Sequence, residues 1–576
     1  MVKRKRDDNM LKGKGISEGI GIGRAVVLKK KEIKIENDKI DDVDKELEKL
    51  QVSLNSVIKE IEKSINEISS DEQVKILEAY LMILQDETLL QKAKELIKNE
   101  KMNSVYAVEQ GIGEIITNFR NIPDEYISER ANDIQDIKDR IIFKLLKIEE
   151  SDFSHIPPNT IIVTEELTTS DTAKIKMENV SGIISEIGGT NSHVSIIARN
   201  KQIPMVIRVE EVVSKIKNGD ILVIDGEKGE VNINPTIEEM AKYKQMEKED
   251  REEKQKLEQY KNKVAKTKDG YQVDVSSNIG KTSDLEDVLK VGADGIGLFR
   301  TEFLFMDLPQ MPTEEEQFES YKKIAENMKD KLSIIRTLDA GGDKDIPYLN
   351  LEKEDNPFLG YRAIRLCLGN PEMFKIQLRA ILRASVYGNL AIMFPMISVI
   401  DELRLAKAIL EECKKELDEQ KVKYNKQIKV GMMIEIPAAA IMADTFAKEC
   451  DFFSIGTNDL IQYTIAAERG NPQIAKLYTK NHPAVIKLIK QTIDAAHRNG
   501  IFCGMCGEAA SNYQYIPLLI GLGLNEFSMN SSSVLQAKKT ITELNRSDCE
   551  KLADEILQLT SDKEVEKILK QFRTWK

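Results

Sequence analysis

The sequence predicts an α/β protein of several domains: an N-terminal α/β domain interrupted by a helical bundle, a charged linker helix, and a C-terminal (β/α)8 barrel. Three observations lead there. From residue 270 onward, eight short β-type runs (271–275, 295–298, 333–338, 390–394, 430–434, 452–455, 501–504 and 526–529) alternate with helical segments. Such alternation builds parallel sheets and barrels. Between 38 and 148, apolar residues recur at three- and four-residue steps, the period of an α-helix. Residues 150–235 return to short β-type runs (160–163, 182–187, 205–208, 221–224) with helical stretches between them. Counting strands fits a doubly wound sheet as well as a barrel, so the residues at the strand ends must discriminate.

Length and composition bound the function. At 576 residues, 41% hydrophobic and 31% charged, the chain can bury large cores without disulfide staples. A formal net charge of -12 argues against nucleic acid as the main partner. No apolar run approaches the roughly 18 residues of a membrane-spanning helix, and no secretory apolar region follows the first residues, so no membrane insertion is expected. The six cysteines are scattered without a disulfide framework, which suits a reducing, cytoplasmic location. His155, His193, His482 and His497 are too dispersed for a zinc site.

In chain order, residues 1–12 form a basic tail. The glycine-rich run 13–27 reads as turns leading into a strand, and it is not a dinucleotide fingerprint because no strand precedes the glycines. Ile40, Val43, Leu47, Leu50 and Leu54 begin an apolar stripe that continues to Ile68, the first helix of a bundle. Further helices are expected at 74–97, 104–119 and 129–146. The α/β domain then comprises 13–37 together with 149–235, with 38–148 inserted into it. Residues 236–265, dense in Glu and Lys, read as a solvated linker helix. Residues 266–576 make the barrel.

Two places carry chemistry. In 187–199, Gly188 and Gly189 break a strand, Ser192 suits a helix N-cap, and His193 opens an apolar helix. Free N–H groups at that helix end favour an anion. The same positive end disfavours imidazolium, so His193 suits the role of a neutral acceptor of a phosphoryl group. Taken alone, the residue fits a buried or capping histidine equally well.

The second place is the carboxyl ends of the barrel strands, where working residues gather. Arg300 follows the second strand and Arg336 lies in the third. Glu435 follows the fifth, Asn458 and Asp459 the sixth, and Cys506 the seventh, with Arg469 in the next loop. Two carboxylates and an amide suit Mg²⁺ with positions left for substrate oxygens. Three arginines offer forked donors to carboxylate and phosphate. Singly each is an ordinary surface salt-bridge former; together at one end they describe a site for a small, doubly anionic, metal-bound molecule. Cys503 and Cys506 form a C-x-x-C pair without the second pair of a zinc ribbon or the context of a redox motif. A single thiol acting as proton donor is the alternative.

The stretches Gly188-Gly-Thr-Asn-Ser-His193, Arg336-Thr-Leu-Asp-Ala-Gly-Gly-Asp-Lys344, Gly431-Met-Met-Ile-Glu-Ile-Pro437, Asp451-Phe-Phe-Ser-Ile-Gly-Thr-Asn-Asp-Leu460 and Met505-Cys-Gly-Glu508 share their order with a known family. So does the run from Asp294 to Met306. From about residue 13 onward the chain resembles the phosphoenolpyruvate (PEP)-utilising phosphotransferases, in the branch that opens the bacterial sugar phosphotransferase system. The resemblance implies that the α/β domain is a swivelling phosphohistidine domain with His193 accepting the phosphoryl group at Nε2. Thr172, within Ser170-Asp-Thr-Ala173, would help position it. It implies Glu435 and Asp459 as Mg²⁺ ligands, Arg300, Arg336, Asn458, Asp459 and Arg469 as PEP contacts, and Cys506 as the group that protonates the enolate to pyruvate. The helical insertion would dock the small phosphocarrier protein HPr, with 78–90 and 129–136 as the matching segments. The resemblance further implies a homodimer through the barrel, and a swing of the phosphohistidine domain sets a hinge near 230–265.

The sequence departs from the family at Asn191, where Thr is usual, and in Met205-Val-Ile-Arg208, where a Gly is common. Both imply a tuned acceptor. Relatives that use ATP (pyruvate phosphate dikinase and PEP synthase) share the histidine and barrel domains but need an ATP-binding domain, for which this chain has neither room nor a P-loop. A regulatory protein that kept only the fold would lose an acceptor or metal residue, and none is lost here.

Overall fold

The computed structural model describes residues 9–574, apart from residue 18, 29–34, 68–70, 121–124, 149–155, 168–170, 173–174, 190–192, 307–309, 343–345, 350, 353, 469–470, 472 and 475. The chain divides into two units, Met1–Glu253 and Lys254–Lys576.

The first unit is built on a mixed sheet of β1 (Met10–Lys12), β2 (Lys14–Ser17), β3 (Ile20–Leu28), β4 (Thr160–Thr164), β5 (Val180–Ser185), β6 (Met205–Ile207), β7 (Ile221–Asp225) and β8 (Glu230–Ile233). Their order is β1-β8-β7-β3-β4-β5-β6-β2. The run 13–27, expected as turns before a strand, is corrected here: nearly all of it is strand. Gly19, at φ 114°, makes the bend between β2 and β3, whereas the glycines within β3 serve close approach. A Cβ on Gly21 would lie 2.2 Å from the carbonyl oxygen of Ser181, and one on Gly23 would lie 2.3 Å from that of Asn159. Only a residue without a side chain fits there.

Between β3 and β4 the chain leaves the sheet to form a bundle. Its helices are Val43–Glu67, Asp71–Gln85, Gln91–Glu100, Ser104–Arg120 and Glu125–Leu146. The stripe read from the sequence makes its core, where Leu50, Leu54, Val57 and Ile61 pack against Ile97, Ile112 and Ile141. The single helix expected over 74–97 is two. Asp86 ends the first by accepting a hydrogen bond from the Thr88 N–H at 2.8 Å, which starts a new short 3-10 turn.

The second unit is a closed barrel of parallel strands: β9 (Asp274–Ile279), β10 (Ile296–Arg300), β11 (Ser333–Arg336), β12 (Leu390–Phe394), β13 (Lys429–Ile434), β14 (Phe452–Ile455), β15 (Phe502–Met505) and β16 (Glu526–Met529). β12 shows why these segments were legible. Leu390, Ile392 and Phe394 enter the shell between strands and helices, whereas Ala391 and Met393 enter the barrel interior. Both faces are covered, so the strand is apolar throughout. β9 lies three residues later than its spacing predicts. Tyr271 sits before it, donating its hydroxyl to the carbonyl of Gly523 at 2.9 Å, and the strand proper contains Ser276, Ser277 and Asn278.

The linker helix is Ile237–Glu258. No helix among the described residues is long and apolar enough to cross a membrane.

Candidate active site

The strand ends of the barrel converge on one cavity of about 160 Å³. Arg300, Arg336, Glu435, Asn458, Asp459 and Cys506 all line it. Arg300 and Arg336 are the last residues of neighbouring strands and face each other in register. Glu435 and Cys506 each follow the last residue of their strands, and Asn458 and Asp459 lie in the first turn of the helix Thr457–Ile465. A parallel barrel turns every strand the same way, so residues far apart in sequence meet at one mouth. Arg469 lies outside the described residues, as do Asn191 and the side chain of His193.

Charges at this mouth hold one another. Arg336 donates from Nη2 to Glu302 Oε1 at 2.7 Å and pairs with Asp339 Oδ2 at 3.0 Å. Arg362 donates to Asp339 Oδ1 at 2.9 Å and reaches Asp459 Oδ1 at 3.4 Å. Burial works against the charge of Arg336, but Glu302, Asp339 and Glu435 together hold its pKa above the ordinary guanidinium value. Arg300 makes no ion pair or side-chain hydrogen bond among the described residues, so its guanidinium is free to take an anion.

Glu435 is 1% exposed and fixed by the Met396 N–H, which donates to Oε1 at 2.7 Å. Met396 adopts φ 55° to aim that donor, a left-handed conformation that non-glycine residues rarely take. On the other side, a Cβ at Gly456 would lie 2.8 Å from Glu435 Oε2. Burial, then Asp459 and Asp339, push Glu435 up to about 8, against the opposing pull of Arg336 and Arg362. Burial and neighbouring carboxylates both disfavour the charged form.

Cys506 is 4% exposed, with its thiol directed at the carbonyl of Ile455 at 3.9 Å. Burial pushes it up to about 11, while the Ser454 hydroxyl and Arg336 pull the other way. Cys503 has a different address. It packs in the shell outside the barrel, and Cys506 packs inside with Met433 and Phe452. The two sulfurs lie on opposite sides of the sheet wall and both are free thiols, which removes the redox-pair reading.

The first unit carries the other expected residues. β5 leads through Gly188 and Gly189 towards the helix His193–Asn200, whose Ser195 hydroxyl donates to the Gly189 carbonyl at 2.7 Å. Thr172 is buried; its neighbours Leu167 and Ile175 share an apolar cluster with Val194. Sequence reasoning missed Glu302, Asp339 and Arg362. The first two stand two and three residues after Arg300 and Arg336, so the strand-end rule could have reached them. Arg362 follows a loop rather than a strand, and no local pattern marks it.

A strand-end cavity of guanidinium and carboxylate groups on a parallel barrel suits a small anion, and comparison with known proteins defines the class of protein. The model of the PEP-utilising enzyme, PEP-binding domain, matches residues 254–546; that of the N-terminal domain matches 12–130, and that of the mobile domain 156–229. The chain belongs to the PEP-utilising enzyme family. Phosphoenolpyruvate-protein phosphotransferase of Staphylococcus carnosus is 43% identical over 98% of this chain and 99% of its own length. The protein of that name from Geobacillus stearothermophilus is 45% identical over 98% of both chains. A solution structure of an Enzyme I protein is similar at 33% identity, covering 42% of this chain and 98% of its own, with a TM-score of 0.38.

Proposed function

We propose that this enzyme transfers the phosphoryl group of PEP to His193, releases pyruvate, and passes the group on to a phosphocarrier protein of the HPr type, as the first step of a sugar phosphotransferase system in the cytoplasm. One observation carries the reading: Arg300, Arg336, Glu435, Asp459 and Cys506 border the same cavity. The names of the relatives, which specify PEP as donor and a protein as acceptor, support it.

The cavity fits a divalent cation. Among its described lining residues, the carboxylates Glu302, Asp339, Glu435 and Asp459 outnumber the guanidiniums of Arg300, Arg336 and Arg362 by one. The donors are hard oxygens, which favours Mg²⁺. No described group of three or more His, Cys, Asp or Glu side chains could hold a metal alone, so substrate oxygens and water would complete the shell. Glu435 and Asp459 would hold the ion, which would neutralise phosphate and enolate charge.

Around it, Arg300, Arg336, Asn458 and Arg469 orient the phosphate and carboxylate of PEP, with Asp459 also at the substrate. Phosphoryl transfer asks chiefly for such positioning and charge neutralisation. His193 Nε2 supplies the attacking lone pair, with Thr172 helping to hold the ring. The Cys506 thiol then gives its proton to the enolate, trapping it as pyruvate. We assign 13–37 with 149–235 to the phosphohistidine domain, 38–148 to carrier docking, 236–265 to the linker and hinge, and 266–576 to PEP binding and homodimerisation. The first of these is extended at its start by Met10–Lys12, which pairs with β8 in the sheet rather than belonging to the expected basic tail.

Incubation with labelled PEP and Mg²⁺ tests this reading. Acid-labile, base-stable phosphate should appear on the wild type, be absent from His193→Ala, and be abolished by excess EDTA. Labelling of His193→Ala would overturn the acceptor assignment, and full labelling in EDTA would overturn the metal site.

A further inference from the structure

Below the cavity, the barrel interior is divided. Leu298, Ile334, Met393, Met433 and Phe452 pack with Cys506 as an apolar cluster. The strands β14, β15, β16 and β9 present a polar strip instead. Ser454, Gly504 and Glu526 are register partners on three consecutive strands, and Asp274 continues the row on β9. Gly504 contributes no side chain, and the Glu526 carboxyl group fills its space: a Cβ on Gly504 would lie 2.1 Å from Oε2, and one on Gly297 would lie 2.1 Å from Oε1. The carboxyl therefore reaches over Gly504 towards Ser454, whose hydroxyl lies against the Cys506 thiol.

Glu526 is 5% exposed; neither of its oxygens nor Ser454 Oγ has a partner at full hydrogen-bond geometry, although the Ser276 hydroxyl and the Met505 N–H approach the carboxyl group. The titratable groups that face Glu526 are Asp274 on β9 and Cys506 after β15, with Cys503 acting on it only from the outer side of the sheet wall; no cation pairs with it among the described residues. A buried carboxyl group without a cation is a costly thing to keep unless it is held as the neutral acid. Asp274, the next residue in the row, is exposed at the end of the barrel opposite the cavity.

We propose that Glu526 is the proton store that resets Cys506. The inference rests on the reading of Cys506 as the enolate's proton donor. As the C–H bond at C3 forms, the S–H bond of Cys506 breaks. The thiolate then takes the Ser454 hydroxyl proton while Ser454 takes one from the Glu526 acid, and Glu526 regains its proton from solvent by way of Asp274. One solvent proton is consumed per pyruvate, and no other co-reactant is needed. Burial, with Asp274, raises the pKa of Glu526 against the pull of the Ser276 hydroxyl and the Met505 N–H, which favours the neutral acid beneath a thiol that burial also raises. The route enters from the floor, where bound substrate does not obstruct it. Glu526 touches no substrate and acts only through Cys506.

The test uses the full-length enzyme with PEP, Mg²⁺ and carbon-labelled pyruvate in deuterium oxide. Exchange of carbon label between pyruvate and PEP needs the Cys506 proton only to shuttle back and forth. Entry of deuterium at C3 needs the thiol to be resupplied from solvent. In Glu526→Gln the ratio of deuterium entry to carbon exchange should fall by roughly tenfold or more, and Ser454→Ala, a smaller change to the packing, should lower the same ratio. An unchanged ratio in both variants, whether the two rates fall together or neither falls, overturns the proton store. Cys506→Ala separates the underlying reading: undiminished carbon exchange in that variant would refute Cys506 as the donor, whatever Glu526 does.

Discussion

The mouth and the floor of this barrel both bury charge-bearing groups, and they make it tolerable by opposite means. At the mouth, Arg336 and Arg362 stand among Glu302, Asp339 and Asp459, and every one of these ion pairs is 3.4 Å or closer. At the floor, Glu526 has no such partner, and burial raises its pKa instead. Pairing keeps a charge in place where it can meet an anionic substrate. Neutralisation leaves a proton in place where a neighbour can use it. One β-barrel thus offers fixed positive charge at one level and a removable proton a few residues below.

The comparison breaks most sharply at Arg336. Arg336→Ala should cost about 3–5 kcal/mol of stability in urea unfolding, because the buried carboxylate of Glu302 loses the guanidinium that faces it. PEP-dependent phosphorylation should fall at least about a hundredfold in the same variant. Stability within about 1 kcal/mol of the wild type would mean that pairing is not what makes the mouth tolerable.

A smaller effect separates the two thiols. Cys506→Ala should lower pyruvate release about a hundredfold or more, with little change in the unfolding midpoint. Cys503→Ala, in the shell rather than the interior, should cost about 1 kcal/mol of stability and leave turnover near that of the wild type. Equal losses of turnover would place both sulfurs in one function.

The mildest prediction sharpens the floor. Glu526 has an ordinary value of 4.5 and a folded value of about 8, so between these the folded chain holds a proton that the unfolded chain has released. Its contribution to stability is fully present below pH 4.5 and is lost as pH rises towards 8 and beyond. Glu526→Gln should remove that slope, leaving the barrel's unfolding curve flatter over the window. An unaltered slope would show that the carboxyl group is not held as the acid.

Much of this architecture was legible because the period of the apolar residues survives any tertiary context. The two-faced burial of β12 and β14 makes continuous apolar runs, and the bundle's first helix keeps its stripe from Val43 to Glu67. Where the reading slipped, side chains had been chosen for a neighbour that lies far off in the chain. β9 looks polar because Ser276 and Asn278 belong to the strip around Glu526, and β3 looks like turns because its glycines meet distant carbonyl groups. Asp86 broke an expected helix through a cap that apolar spacing does not register.

The sequence by itself determined the strand–helix alternation, the helical insertion and the acidic and basic groups stationed at strand ends, because each depends on residues within a few positions of one another. Only the tertiary structure decided that Arg362 joins them, that Cys503 and Cys506 part company across the sheet wall, and that Glu526 lies beneath the thiol. Closing the barrel sets these neighbours, and which side chains meet inside it depends on strand register and on where a glycine leaves room.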